Sequence, residues 1–205
     1  MTGLFITLEG GDGTGKSTQA ALLGEWFTEQ GREVVFTREP GGTDLGLELR
    51  EIVLHSRGDI TARSEALLYA ADRAHNVATI VRPALARGAV VIQDRYLDSS
   101  AAYQGAGRVL DPDEVRHLSM WATENLVPDL TVVLDLDPTV GRERLEAANK
   151  RFDRLESEAL EFHVRVRDAY LSMATAEPER FAVVDATLDR LEIRDAIVAR
   201  LGARP

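Results

Sequence analysis

The chain has 205 residues, 44% apolar and 28% charged, with a formal net charge of −10 and no cysteine. This is the composition of a soluble globular protein with a sizeable core. It excludes disulfides, thiolate metal sites and a cysteine nucleophile, fits the cytoplasm, and disfavours nucleic acid as a partner.

No apolar run approaches the roughly 20 residues of a membrane helix, and Met1–Glu9 has neither the basic start nor the cleavage site of a secretory signal. In chain order, the apolar run Leu4–Glu9 predicts a strand, followed by a glycine-rich loop and a helical pattern over Ser17–Gln30. Further strands are predicted over Glu33–Arg38, Ala89–Asp94, Leu130–Asp135 and Phe181–Asp185. Helical periodicity covers Leu45–Leu54, Ser64–Arg87, Pro112–Thr123, Pro138–Ala147, Ala159–Thr175 and Leu191–Leu201. This alternation predicts an α/β fold, a five-stranded parallel sheet flanked by helices on both faces. With no repeat, low-complexity stretch or linker, residues 1–205 read as one domain. Strands end at Glu9, Arg38, Asp94, Asp135 and Asp185, and ligands of open α/β sheets bind outside those ends. Asp135 and Asp185, with no motif around them, are as readily plain surface charges.

Gly10-Gly11-Asp12-Gly13-Thr14-Gly15-Lys16-Ser17 fits G-x-x-x-x-G-K-[ST] between a strand and a helix. Glycines let successive amides turn inward around phosphates, and the helix that begins near Ser17 and Thr18 directs its positive end at the anion. Lys16 supplies a mobile cation for the β- and γ-phosphates of ATP, and the Ser17 hydroxyl a ligand for Mg²⁺. Asp94, at a later strand end, suits a second metal-holding position. The guanine-reading N-K-x-D motif fails here, since Phe152 follows Asn149-Lys150-Arg151. A small-molecule kinase fits the short chain better than a motor or regulatory ATPase.

Several further segments appear together: Thr37-Arg38-Glu39-Pro40-Gly41-Gly42-Thr43, Asp94-Arg95-Tyr96, Ser99-Ser100-Ala101-Ala102-Tyr103-Gln104-Gly105, Asp153-Arg154-Leu155-Glu156 and Val184-Asp185-Ala186-Thr187. In order and approximate spacing the chain resembles bacterial thymidylate kinases, over nearly its whole length. The resemblance implies a P-loop NTPase fold of the nucleoside monophosphate kinase type with a basic lid over about residues 142–156. It implies conversion of thymidine monophosphate (dTMP) to dTDP with ATP and Mg²⁺, on the way to dTTP, by a cytoplasmic homodimer. It also implies roles for individual residues. Arg38 and Arg95 bind the acceptor phosphate, for which a planar guanidinium fork is suited, and Asp12 takes the sugar 3′-hydroxyl. Tyr69 stacks on thymine, Arg73 donates to a thymine carbonyl, and Ser100 and Gln104 meet the base edge. Tyr103 lies beneath the sugar and excludes a ribose 2′-hydroxyl. The P-loop residues Gly10 to Thr18 and Arg144 bind ATP. Because Gly13 and Thr14 stand where one branch of the family has a loop arginine, Arg154 is the expected arginine finger, catalytic together with Lys16 and Arg95. The lid departs from the bacterial pattern at Glu146 and Ala148, so that Lys150 or Arg151 either replaces the arginines missing there or belongs to a plain solvated charge run. A kinase for another nucleotide or nucleoside, or an ATP-driven switch, are the alternatives.

Trp26 and Trp121 read as core or interface aromatics, and His55, His75, His117 and His163 show no metal-ligand spacing. The apolar content of the helix over Ser64–Val81 suits a helix–helix dimer contact.

Overall fold

The computed structural model of the chain describes residues 2–56, 58–108, 110–148 and 152–202. Lys150 and Arg151, the two lid cations left open above, lie outside the described residues.

The five apolar runs form strands β1 (Leu4–Glu9), β2 (Val34–Arg38), β3 (Val90–Asp94), β4 (Leu130–Asp135) and β5 (Phe181–Asp185). They pair in parallel in the order β2-β3-β1-β4-β5. The central strands are buried along nearly their whole length, as expected of a parallel sheet covered on both faces. The edge strands expose part of theirs, Phe36 and Val183 included. Register brings the charged strand ends together: Arg38 lies opposite Asp94, Leu8 opposite Asp94, and Asp135 opposite Asp185.

Helices α1 (Lys16–Glu29) and α9 (Arg190–Gly202) cover one face, with Leu23, Phe27, Ile193 and Ile197 packed on Ile6, Leu8, Ile92 and Val132. The other face carries α2 (Asp44–His55), α3 (Ala62–Asn76), α4 (Arg82–Ala86), α5 (Leu97–Ser100), α6 (Pro112–Ala122) and α8 (Leu160–Ala176), while α7 (Pro138–Ala147) contacts α8 and sets Val140 against the core of the first face. Here Tyr69, Tyr103, Phe162, Val166 and Tyr170 make a second core, and Phe5, Val77, Val91 and Tyr96 a third. Side-chain caps start four of these helices: Thr43 accepts from Gly46, Thr61 from Ser64, Asp111 from Asp113 and Asp137 from Thr139.

Two features depart from the sequence reading. The long pattern over Ser64–Arg87 is interrupted by a π-helical turn at Val77–Val81, which leads into α4. The segment after Arg95, given no element above, is α5 continued by a π-helical stretch over Ala101–Gly107. Its run of Ser, Ala and Gly has no apolar period to reveal a helix. Of the two tryptophans read as core or interface aromatics, Trp26 packs edge-on against Phe27, whereas Trp121 is 80% exposed, which leaves for it only the interface half of that reading. No helix among the described residues is long and apolar enough to cross a membrane.

Candidate active site

Beyond the carboxyl ends of β1, β2 and β3 lies a cleft of about 360 Å³. It is lined by Asp12, Gly13, Gly15, Lys16, Ser17 and Thr18 from the loop, and by Arg38, Asp94 and Arg95 from the strand ends. Tyr69 and Arg73 come from α3, and Ser100, Tyr103 and Gln104 from the α5 segment. Residues dispersed over most of the sequence thus share one hollow.

The loop turns where only glycine is comfortable. Gly13 and Gly15 hold φ of +76° and +92°, and a Cβ on Gly13 would stand 2.4 Å from the Gly141 carbonyl oxygen of α7. Gly141 is equally tight, its Cβ position 2.5 Å from the Asp12 carbonyl oxygen. The loop and the start of α7 therefore cross backbone on backbone. Lys16 turns Nζ onto the loop's own carbonyls, 2.7 Å from Gly11 O and 3.3 Å from Gly10 O. Burial, and then Arg95, lower its pKa. Such an ammonium, held by two neutral acceptors, is suited to exchange them for anionic phosphate oxygens. The Ser17 hydroxyl donates to Asp94 Oδ2 at 3.3 Å. Gly10, Gly11 and Thr14 complete the loop behind the cleft, where Thr14 Oγ1 donates to Gly11 O at 3.0 Å.

Arg95 has a left-handed backbone, φ 66°, uncommon for a non-glycine residue. Its guanidinium donates to Asp12 Oδ1 at 2.6 Å, to Gly10 O at 3.1 Å and to Ser99 Oγ at 3.4 Å, and lies 4.9 Å from the Tyr103 ring centroid. Burial alone would raise the Asp12 pKa, yet Arg95 and Lys16 outweigh it and hold Asp12 down at about 2. The Tyr103 hydroxyl donates to Asp12 Oδ2 at 3.4 Å. Asp12 is thus a fixed carboxylate with cations on either side.

Across the cleft, the β2–α2 turn presents Arg38, which is exposed and bonded only weakly through Nε to Gly41 O at 3.4 Å. The peptide Glu39–Pro40 is cis. This turn is clamped by α3: Asp72 accepts from the Gly41 amide, and buried Glu39 accepts from Arg73 Nε at 2.7 Å and from Asn76 Nδ2 at 3.2 Å. Burial raises the Glu39 pKa to about 7 despite Arg73. Arg73 itself also donates to Ser119 Oγ and Tyr96 O. Three of its N–H groups thus serve protein acceptors at the cleft wall, and Arg73 still lines the cleft.

Two expected cations lie outside the cleft lining. Arg144 donates to Gly13 O and Ala186 O, at the back of the loop beside the late Val184-Asp185-Ala186-Thr187 segment. Arg154, expected as a finger over the transferring phosphate, is instead turned to α2 and α3, donating to Val53 O and pairing with Glu65. The buried Glu65 carboxylate, with no exposed surface of its own, is the partner that holds it there.

Sequence reasoning missed the residues that hold others in place. Glu9 is fully buried and accepts from the Tyr96 amide, Ser99 and Tyr170, with its pKa pushed to about 7 by burial and then Asp98. Glu39 stood inside a quoted motif without a role. Glu65 was overlooked although its spacing of four from Tyr69, itself four from Arg73, puts all three on one helical face.

The family model described as "Thymidylate kinase" matches residues 8–197. Thymidylate kinase of Clavibacter michiganensis subsp. michiganensis is 68% identical over 203 residues, covering 99% of this chain and 96% of that protein. Thymidylate kinase of Deinococcus radiodurans is 50% identical over 202 residues, covering 98% of each. Among solved structures, thymidylate kinase from Ehrlichia chaffeensis matches with a TM-score of 0.80 at 32% identity, covering 98% of this chain and 99% of that one.

Proposed function

The chain belongs to the thymidylate kinase family, and on that premise we propose that it transfers the γ-phosphoryl group of ATP to dTMP, giving ADP and dTDP. One observation carries the reading: an amide-lined loop with Lys16 and a guanidinium pair, Arg38 and Arg95, open on the same cleft beside an aromatic ring, Tyr69. A cleft with two anion-seeking walls suits a donor and an acceptor phosphate brought together.

In this proposal Gly10 to Thr18 and Arg144 hold ATP, and Arg38 and Arg95 hold the phosphate of dTMP. The acceptor phosphate oxygen attacks the γ-phosphorus in line. The new P–O bond forms as the bond to the β-phosphate oxygen breaks, and the electron pair leaves with ADP. No covalent enzyme intermediate is needed; positioning and charge neutralisation suffice. Lys16 exchanges its two loop carbonyls for phosphate oxygens. Arg95, aimed by its backbone and by Asp12, neutralises charge between the two phosphates. Arg154 contributes only from a lid that has released Glu65. Ser17 and Asp94 are hard oxygen donors 3.3 Å apart, a donor set that fits Mg²⁺. When bound, the ion supplies further neutralisation of phosphate charge.

For the acceptor, Tyr69 offers a stacking face, with Arg73, Ser100 and Gln104 at the base edge. Asp12 takes the 3′-hydroxyl, and Tyr103, buried against Arg95, leaves no room for a 2′-hydroxyl. The enzyme works in the cytoplasm as one kinase domain paired with a second copy, without nucleic-acid or membrane partners. The exposed Leu67 of α3 and Ile52 of the adjacent α2 support the pairing. ADP release measured with dTMP, dUMP, dCMP, AMP and the ribonucleotide of thymine in turn tests the reading. Greatest activity with dTMP is expected. Release without an acceptor, or preference for the ribonucleotide, would refute it.

A further inference from the structure

Glu65 of α3 has no exposed surface and accepts from three side chains on two segments. Gln104 Nε2 donates at 2.9 Å, the Arg108 guanidinium at 3.4 Å, and the Arg154 guanidinium closes the group. A carboxylate accepts and does not donate, whereas a primary amide donates from one end and accepts at the other. The bond to Glu65 therefore settles which way the Gln104 amide lies. Its NH2 group faces back into α3. Oε1, to which no described residue donates, remains for the cleft that Gln104 lines. Gln104 is 2% exposed, so bulk water offers the amide no alternative partner.

We propose that Glu65 is a specificity-determining positioning residue, acting through Gln104. By turning the amide oxygen toward the bound base, it selects a pyrimidine that donates at N3, as thymine and uracil do, over cytosine, whose N3 accepts. The proposal rests on the reading of this cleft as the dTMP site. Thymine N3–H meets an acceptor there. Cytosine N3 sets a lone pair against a lone pair, and turning the amide to suit it sets Oε1 against the Glu65 carboxylate, inside a pocket where the lost bond is not replaced. Discrimination at the base edge is thus determined one residue behind the side chain that touches the base.

Glu65→Gln tests this, because glutamine both donates and accepts and so holds the Gln104 amide either way. The measurement is kcat/KM for dTMP, dUMP and dCMP in the natural protein and the variant. The dTMP:dCMP ratio is expected to fall about tenfold or more, with dUMP changing in step with dTMP. A role for Glu65 confined to packing, or to Arg108 and Arg154, lowers all three alike, and an unchanged ratio overturns the proposal. If the variant shows no folding transition, Glu65→Asp replaces it. Aspartate keeps the charge for the two arginines but withdraws the carboxylate from Gln104, and the same loss of ratio is required. A natural protein inactive on dTMP removes the functional reading and the inference with it; an active one whose variant keeps its ratio removes the inference alone.

Discussion

Asp12→Asn keeps the shape of the side chain and removes its charge, so it isolates what the Asp12–Arg95 pair contributes. The two groups meet at 2.6 Å with side chains 23% and 18% exposed, sheltered enough that solvent screening removes little of the interaction. Burial works against the charged Asp12, but Arg95 and Lys16 hold its pKa at about 2 rather than 3.8. At about 1.4 kcal/mol per pH unit, that difference amounts to about 2 kcal/mol of folding stability. The sign follows from linkage: a depressed carboxyl pKa stabilises the folded state above 3.8 and ceases to do so as pH falls through about 2. The variant should therefore be less stable by about 2 kcal/mol at pH 7, or about 4–8 °C in Tm. Urea unfolding at pH 7, 5, 4 and 3, followed by tryptophan fluorescence, should show the gap constant at first and narrowing at the acid end. A gap of equal size at pH 7 and pH 3 would refute the electrostatic argument and assign the loss to hydrogen-bond geometry.

Lys16→Ala should reduce turnover about a hundredfold or more while leaving the melting temperature within a few degrees, read by ADP release and circular dichroism. Glu9, raised from 4.5 to about 7, favours the folded state below pH 4.5 and loses that contribution as pH rises through 7. Relative to Glu9→Gln, the natural protein should therefore lose about 3 kcal/mol between pH 4.5 and 8; parallel stability curves would contradict this. Gly13→Ala puts a Cβ 2.4 Å from Gly141 O at a φ of +76°. It should cost about 2–4 kcal/mol in urea unfolding and weaken ATP binding.

The frame of this site is legible in the sequence because it depends on local signals. Strand runs predict β1 to β5 within a residue, as Val34 against Glu33 shows at β2, and the P-loop motif fixes Lys16 and Ser17. The cleft lining also follows, since strand ends of a parallel sheet must converge. What is not legible depends on burial. Hydropathy alone does not separate a core tryptophan from an interface one, and Trp121 lies 80% exposed on this chain. The resemblance implies ligand roles for Arg73 and Arg154, but no motif or spacing announces that the buried carboxylates Glu39 and Glu65 pair with them. The α5 segment hides its helix because small residues carry no amphipathic period, and tertiary contacts shape it instead. Glu9 and Asp72 act through partners 30 or more residues away in sequence, such as Gly41 for Asp72, which no spacing rule can anticipate.

The bare crossing of Gly13 with Gly141 has a bearing on engineering. Two main chains touching with nothing between them lift or slide only together, so the first turn of α7 belongs mechanically to the nucleotide loop however the segment beyond it swings. A chimaera that borrows a lid from a relative should be spliced after residue 141, inside the helix. A junction placed earlier imports a foreign angle at the crossing, and the donor pocket inherits it.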